Sequence, residues 1–160
     1  KKEVGWSHEK IMEAIYTKGR DNARTPMQWD DSENAGFTEG TPWIKVNPRY
    51  KEINVQAALN DKESIYYYYQ RLIKLRKEID VITTGRFELL LREDPNIFAY
   101  QRITPEETLI VLCNFSDEMV EIEDPKLLAQ IKDATIVITN EEKNNSRSRL
   151  NPYEAVVYSV

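Results

Sequence analysis

The chain has 160 residues, 41% hydrophobic and 31% charged, with a formal net charge of −5. That apolar content is too high for a disordered chain, and no apolar run approaches the length of a membrane-spanning helix. The acidic balance argues against a nucleic-acid backbone or an anionic membrane surface as partner. The single cysteine, Cys113, can make no internal disulfide and is too few for a zinc site, which fits a cytoplasmic location. Lys1 to Gly5 hold no signal-like apolar stretch, and the chain does not begin with Met, so a natural start upstream is expected.

Residues 6–18 are predicted to form a short helix. Ser7 is placed to cap it, Glu9 stands in its first turn, and Ile11, Met12, Ile15 and Tyr16 share one face before Gly19 ends it. Residues 19–56 carry little periodicity. Pro26, Gly36, Gly40, Pro42 and Pro48 punctuate them, with Trp29, Phe37 and Trp43 spread between. A stretch this long and this aromatic predicts an ordered, functional loop. Residues 60–79 carry the strongest helical pattern. Asn60 and Glu63 are spaced as a capping box, Ile65, Tyr68, Tyr69, Leu72, Ile73, Leu75 and Ile79 make a wide apolar face, and Arg71, Lys74, Arg76 and Lys77 gather toward the C-terminal half.

After Asp80 the period changes from about 3.6 to about 2. Phe87, Leu89 and Leu91 alternate with charged residues, and further strands are predicted at 97–103, 109–115, 119–123, 135–139 and 154–158. Asp94-Pro95-Asn96, Thr104-Pro105, Asp124-Pro125 and Asn144-Asn145-Ser146 read as turns between them. Short strands at this spacing predict an antiparallel β-sandwich. A boundary therefore falls near residue 80, with a helix–loop–helix piece (1–79) before it and a small β domain (80–160) after it.

Several residues are tested as chemistry and read as structure. His8 is the single histidine and has no nucleophile or ligand cluster near it in sequence, so a helix-surface imidazole is expected. Cys113 ends an apolar run from Leu109 and is expected to be a buried strand thiol. Asp30, Asp31 and Glu33 do not match a calcium loop and read as a solvated acidic turn, as do Glu141 and Glu142. The glycosylation patterns at Asn114 and Asn144 carry no weight without a secretory signal. No metal or cofactor is expected. The segment that stands out is Gly19-Arg20-Asp21-Asn22-Ala23-Arg24-Thr25-Pro26-Met27-Gln28-Trp29-Asp30. Arg presents a rigid fork of donors suited to sugar hydroxyls or carboxylates, and Trp a flat apolar face. The alternative is a structural loop in which Asp21 pairs with Arg24 and Trp29 merely packs.

That block, followed by Asn34-Ala35-Gly36-Phe37-Thr38, Pro42-Trp43, Asn47-Pro48, Ile53-Asn54-Val55 and Leu150-Asn151-Pro152-Tyr153-Glu154-Ala155, resembles the C-terminal region of glycoside hydrolase family 13 enzymes. The oligo-1,6-glucosidase and dextran glucosidase type is the most similar group, and the resemblance covers nearly the whole chain. It implies an α+β fold: the last helices and loop of a (β/α)₈ barrel over 1–79, then the antiparallel sandwich called domain C over 80–160. A complete barrel takes about 250 residues, so the chain would be a C-terminal part of such an enzyme.

The resemblance also implies a retaining exo-α-glucosidase acting on α-1,6-linked oligosaccharides from the non-reducing end. Its two carboxylates lie on upstream barrel strands, so no catalytic residue is expected here and the chain alone should be inactive. Arg20 corresponds to the arginine that reaches the terminal glucose. Asp21, Arg24, Gln28 and Trp29 are assigned to support of its loop. Trehalose-6-phosphate hydrolases and sucrose isomerases share the block, with Ala23 favouring the α-1,6 reading. A free-standing carbohydrate-binding or structural module is the alternative of a different class. The implied partners are an α-glucan oligosaccharide and the barrel. Ile11, Ile15, Tyr68, Leu72 and Leu75 would face that barrel, and without it they favour self-association.

Overall fold

The computed structural model describes residues 5–141, 144 and 146–160. The readings of residues 1–4, Glu142 and Asn145 fall outside the described residues. The chain forms two compact units, residues 1–67 and 68–160.

In the first unit, α1 spans His8–Lys18, starting two residues later than the pattern suggests. The Ser7 hydroxyl accepts from the Lys10 amide at 3.3 Å, and the Gly19 amide closes the helix on the Ile15 carbonyl at 2.7 Å. His8 is its exposed first residue. The next 36 positions, 19–54, hold three 3₁₀ turns, Asp21–Ala23, Glu33–Gly36 and Pro48–Lys51, and no strand. The end of this segment departs from the sequence reading. Asn54 caps a short helix, α2 (Val55–Asn60), by accepting from the Ala57 amide at 2.8 Å. Helix α3 therefore begins only at Ile65 and runs to Glu78. The expected Asn60–Glu63 capping box does not form. Asn60 is the last residue of α2, and Asp61 instead folds a turn over the Glu63 amide (3.0 Å), a local side-chain bond that competes with helix. Lys62 and Tyr67 tie the two helices. The Lys62 ammonium donates to the Tyr67 hydroxyl at 2.7 Å, and that hydroxyl donates to the Leu59 carbonyl at 3.0 Å.

The second unit is built on a five-stranded antiparallel sheet in the order β1-β2-β3-β7-β5, where β1 is Arg86–Leu90, β2 Ile97–Ile103, β3 Thr108–Asn114, β5 Thr135–Thr139 and β7 Ala155–Ser159. Two two-residue strands, β4 (Val120–Glu121) and β6 (Arg149–Leu150), form a second small sheet. Strand β6 was not legible in the sequence, because two residues cannot display a period. The pair Asp124-Pro125 is also not a turn. Asp124 accepts from the Lys126 and Leu127 amides, Pro125 fills the first helical position, and α5 (Pro125–Ile131) follows. An acidic cap followed by proline is a helix start, and Leu127 and Ile131 then bury their side chains.

Alternation sorts the sheet into two faces. Ile97, Ala99, Ile110, Leu112, Val156 and Tyr158 are buried and pack with Ile122, Leu127, Ile131 and Leu150 in one core. The register pairs Ala99 with Leu112 and Leu112 with Val156, so a one-residue slip would turn this set outward. The opposite face carries Phe87, Phe98, Tyr100, Val111, Cys113 and Val157. Cys113 is half-buried there rather than fully enclosed. Near the start of this unit, Val81–Thr84 form α4, and Arg102 donates from one Nη2 to the carbonyls of Ile82 and Thr83 (3.0 and 3.3 Å). Glu154, just before β7, turns its carboxylate inward to accept from Asn144 Nδ2 (2.6 Å) and the Asn151 amide (2.8 Å).

Burial pushes the Cys113 thiol above its ordinary value of 9.0 and the Tyr68, Tyr100 and Tyr158 phenols above 10.0. The folded chain therefore holds these protons more tightly than the unfolded chain. Their contribution to stability is complete below the unfolded values and is lost as pH rises through the folded ones. The urea midpoint is expected to fall from about pH 9 upward, with Cys113→Ala removing the first part of the decline. A midpoint flat up to about pH 11 would contradict this.

Candidate functional site

The loop singled out in the sequence is locally fixed. Arg20 precedes the Asp21–Ala23 turn, which closes through the Ala23 amide on the Arg20 carbonyl (3.1 Å) and the Arg24 amide on the Asp21 carbonyl (3.0 Å). The side chains of Arg20, Asp21 and Arg24 are exposed. The ion pairs among the described residues are Lys74–Glu78 and Arg86–Glu88, so the Asp21–Arg24 pair considered for a purely structural loop is not made. The turn leaves both guanidinium forks free to take a ligand or a partner group.

Gln28 and Trp29 are where the loop is anchored. The Gln28 carbonyl accepts from the Val55 amide (2.9 Å), and its side-chain Nε2 donates to the Ile53 carbonyl. The Trp29 carbonyl accepts from Gln56 (3.0 Å), and the Trp29 amide donates to the Ala35 carbonyl (2.9 Å). These bonds join the motif to the start of α2 on one side and to the second 3₁₀ turn on the other. The Trp29 indole remains half-exposed. Pro26 is buried, and a hollow of about 390 Å³ opens beside it, with Met27, Gln28, Ile53, Val55 and Tyr66 among its walls.

The second turn contains three successive left-handed residues, Asn34 (φ 53°), Ala35 (φ 61°) and Gly36 (φ 64°). Only surrounding bonds can hold two non-glycine residues there. Ala35 is fully buried, and Asn34 Nδ2 donates to the carbonyls of Thr38 and Gly40, both at 3.2 Å. The Asp30 carboxylate accepts from the Ser32 amide (2.9 Å) and the Ser32 hydroxyl, which holds it below the usual carboxylate range. It lies directly under Gly36, where an added Cβ would stand 2.7 Å from Asp30 Oδ2. Asp30 thus belongs to the scaffold of the loop. No group of three or more His, Cys, Asp or Glu among the described residues is placed to hold a metal ion. Gly36→Ala is expected to cost about 1–3 kcal/mol, from the left-handed backbone together with the carboxylate below it. Gly40→Ala, whose new Cβ would meet only Thr38 Oγ1 at 3.7 Å, should be close to neutral. Equal melting temperatures for the two variants would contradict this account of the turn.

Three of these supports were not singled out in the sequence as parts of the site. Asp30 and Ser32 are spaced as an Asx turn, and Asn54 stands three residues before Ala57 as an N-cap; both are readable signals. The left-handed Asn34-Ala35-Gly36 run has no such signal beyond its Asn and Gly.

Comparison with known proteins places this architecture. Residues 1–85 match the family described as Alpha amylase, catalytic domain, and residues 87–157 match Maltogenic Amylase, C-terminal domain. The chain is 50% identical over 162 aligned residues to the oligo-1,6-glucosidase of Halalkalibacterium halodurans, covering 99% of the chain and 29% of that enzyme. The crystal structure of Bacillus licheniformis trehalose-6-phosphate hydrolase is similar at a TM-score of 0.86 and 45% identity, over 99% of the chain and 29% of that structure. The isomaltulose synthase of Klebsiella sp. LX3 follows at 0.85 and 31% identity, with the same shares covered. The chain spans less than a third of the length of the relatives it matches. With the catalytic-domain match covering more than half of its residues, the chain belongs to the alpha-amylase family, glycoside hydrolase family 13, and joins the end of that catalytic domain to the C-terminal sheet domain.

Proposed function

We propose that this chain serves as the C-terminal part of a retaining exo-α-glucosidase that removes glucose from α-1,6-linked oligosaccharides at their non-reducing ends. The observation that carries this reading is the 50% identity to oligo-1,6-glucosidases from two organisms over 99% of the chain. In it, Arg20 holds the hydroxyls of the terminal glucose, and Gln28 and Trp29 anchor the loop that presents it, with Asp21 and Arg24 in the same supporting role. A grip remote from the scissile bond orients the reacting carbon. The nucleophile and the acid/base carboxylates come from residues outside this chain, so the 160-residue protein is expected to show no turnover by itself. A boundary near residue 80, between barrel and sandwich, belongs to the same proposal.

The apolar side chains of α1 and α3 support the need for a covering barrel. No residue of either helix is buried, and Ile15, Tyr16, Ile65 and Tyr69 are among the exposed ones. Alone, the chain is therefore expected to self-associate. No helix among the described residues is long and apolar enough to cross a membrane. A cytoplasmic location is proposed on the strength of the single cysteine.

A second reading, trehalose-6-phosphate hydrolase, is favoured by the 45% identity to that enzyme's crystal structure. Ala23 supports the α-1,6 reading over it. The native gene product, tagged and purified from its source cells, discriminates the two. Faster turnover of isomaltose than of trehalose 6-phosphate or sucrose is expected. Preference for trehalose 6-phosphate would establish the second reading, and preference for sucrose would overturn both.

A further inference from the structure

Tyr153, in the turn before β7, combines two features that rarely meet. Its backbone is left-handed (φ 56°), and its ring is 61% exposed. A bulky residue in that conformation costs free energy and persists only where its surroundings fix it. Here the fixing is done by polar side chains. The Tyr153 amide donates to the Ser116 carbonyl (3.1 Å), and its carbonyl accepts from Asn140 Nδ2 (2.9 Å). Asn140 Oδ1 accepts from the Ala155 amide (2.7 Å), and the buried Asn114 donates to the Asn151 carbonyl (2.9 Å). The buried Glu154 carboxylate closes the turn on the Asn151 amide (2.8 Å). All of this holds the backbone of Tyr153 and leaves its ring in solvent. Packing of that ring within the second unit does not explain the strain.

A second ring stands on the adjoining loop. Phe115 precedes the Ser116 that binds the Tyr153 amide, and it is 73% exposed. It is positioned by its amide bond to the Asn96 carbonyl (3.3 Å) and by Phe98, whose ring centroid lies 6.4 Å away. A hollow of about 260 Å³ opens beside Phe115, with Arg92, Asp94 and Asn96 on its wall. Asp117 and Glu118, exposed, follow in the same loop. This corner lies at the far end of the strands from α4, whose Ile82 and Thr83 carbonyls take Arg102 opposite Leu109. From Leu109 to Phe115, strand β3 carries the chain about 20 Å.

We propose that Tyr153 and Phe115 form a second carbohydrate site, a two-ring platform on the C-terminal sheet domain that takes internal units of a neutral α-glucan chain. The choice of glucan rests on the function proposed above. Sugar rings carry C–H faces that stack on the electron-rich faces of aromatic rings, and hydroxyls that need polar partners at the rim. The corner supplies both: two presented rings, with Arg92, Asn96, Asp94, Asp117 and Glu118 around them. Its charge selects among ligands. Three carboxylates against one guanidinium disfavour a phosphorylated sugar or any other polyanion. A second copy of this chain fits less well, because a two-fold contact would set the same carboxylates against one another. The site is shallow and open, so its affinity for one oligosaccharide is weak and grows with the number of repeating units offered.

Affinity electrophoresis in native gels containing dextran, an α-1,6-linked glucan, tests the site in both the 160-residue chain and the tagged native gene product. A dextran chain offers many internal units for each end, so retardation reads a platform rather than an end-binding pocket. Both proteins are expected to be retarded, and neither in gels containing dextran sulfate. Tyr153→Asn removes the ring while keeping a residue that tolerates the left-handed backbone, and should weaken retardation severalfold at an unchanged melting temperature. Tyr153→Trp keeps a flat ring and should restore it, and Phe115→Ala should weaken it as well. Amide NMR of the chain with isomaltotriose should move the signals of Phe115, Ser116 and Tyr153. Equal retardation of the wild type and Tyr153→Asn, or equal retardation by dextran sulfate, would overturn the proposal. Retardation of the chain but not of the native product would also overturn it, because the rings would then be covered in the longer protein. Signals that shift only on concentrating the chain would replace it with self-association. A retarded native product without activity on isomaltose would uphold the site and defeat the proposed function alone.

Discussion

Replacing Arg20 by Ala in the native gene product is expected to lower kcat/KM for isomaltose by about 10²–10³-fold, a loss of about 3–4 kcal/mol of transition-state stabilisation. The magnitude follows from the role proposed for Arg20. A guanidinium that holds hydroxyls of the terminal glucose acts on a ring being distorted toward an oxocarbenium ion, so a small misplacement at that end is felt at the reacting carbon. The position also suits the role. Arg20 lies at the entrance of a hydrogen-bonded turn and is not spent on an ion pair within the described residues. Arg20→Lys keeps the charge but loses the planar fork and should recover only part of the activity. Gln28→Ala removes the bond to the Ile53 carbonyl and should lower stability by about 1 kcal/mol with a smaller kinetic effect. Steady-state kinetics beside thermal melts separate the two roles. An Arg20→Ala product with unchanged kcat/KM would remove Arg20 from the site.

Leu112→Ala is expected to destabilise the second unit by about 2–5 kcal/mol. Leu112 sits on the central strand β3 with no exposed surface, between Ala99 on β2 and Val156 on β7. Those neighbours are fixed by two strand registers and cannot collapse into the space left behind. The total stability of a domain this size is of the order of 5–15 kcal/mol, so the loss is a large share of it. Val111→Ala, on the other face of the same strand, removes a half-buried side chain and should cost about 1 kcal/mol in the isolated chain. Denaturant titration of both variants tests the two-faced sheet. Equal losses would mean that the core does not lie where the alternation puts it.

Alternation made most of the second unit legible. Strands β2 and β5 fall at residues 97–103 and 135–139, as the period of two indicated, because several residues in a row repeat the same choice of face. The elements that were missed are the ones too short to repeat anything, such as β6, or the ones announced by a signal with two meanings. Asp124-Pro125 can open a turn or a helix, and the burial of Leu127 and Ile131 decides for the helix. Asn60 and Glu63 have capping-box spacing, but Asp61 between them makes a turn of its own.

The candidate site was legible in another way. The Arg20–Trp29 block was visible as a concentration of polar donors and an indole after a helix stop. Its chemistry was suggested by family resemblance, and the proposed function leaves the groups that complete the site outside this chain. What holds the block in place is mostly backbone: the bonds from Gln28 and Trp29 to Val55, Gln56 and Ala35 join positions up to 27 residues apart. No local pattern encodes them. The same holds for the stack of Asp30 under Gly36, which appears only once the left-handed turn is formed.

The central claim, that this chain works as part of a longer α-glucosidase, is tested most directly by capturing the native gene product with an antibody raised against residues 80–160 and measuring its mass together with its isomaltose turnover. The account predicts a product larger than this chain by about a whole barrel, of the order of 250 residues or more, that releases glucose from isomaltose. A product of 160 residues with no hydrolytic activity would contradict it and direct attention to the chain as a binding or structural module in its own right.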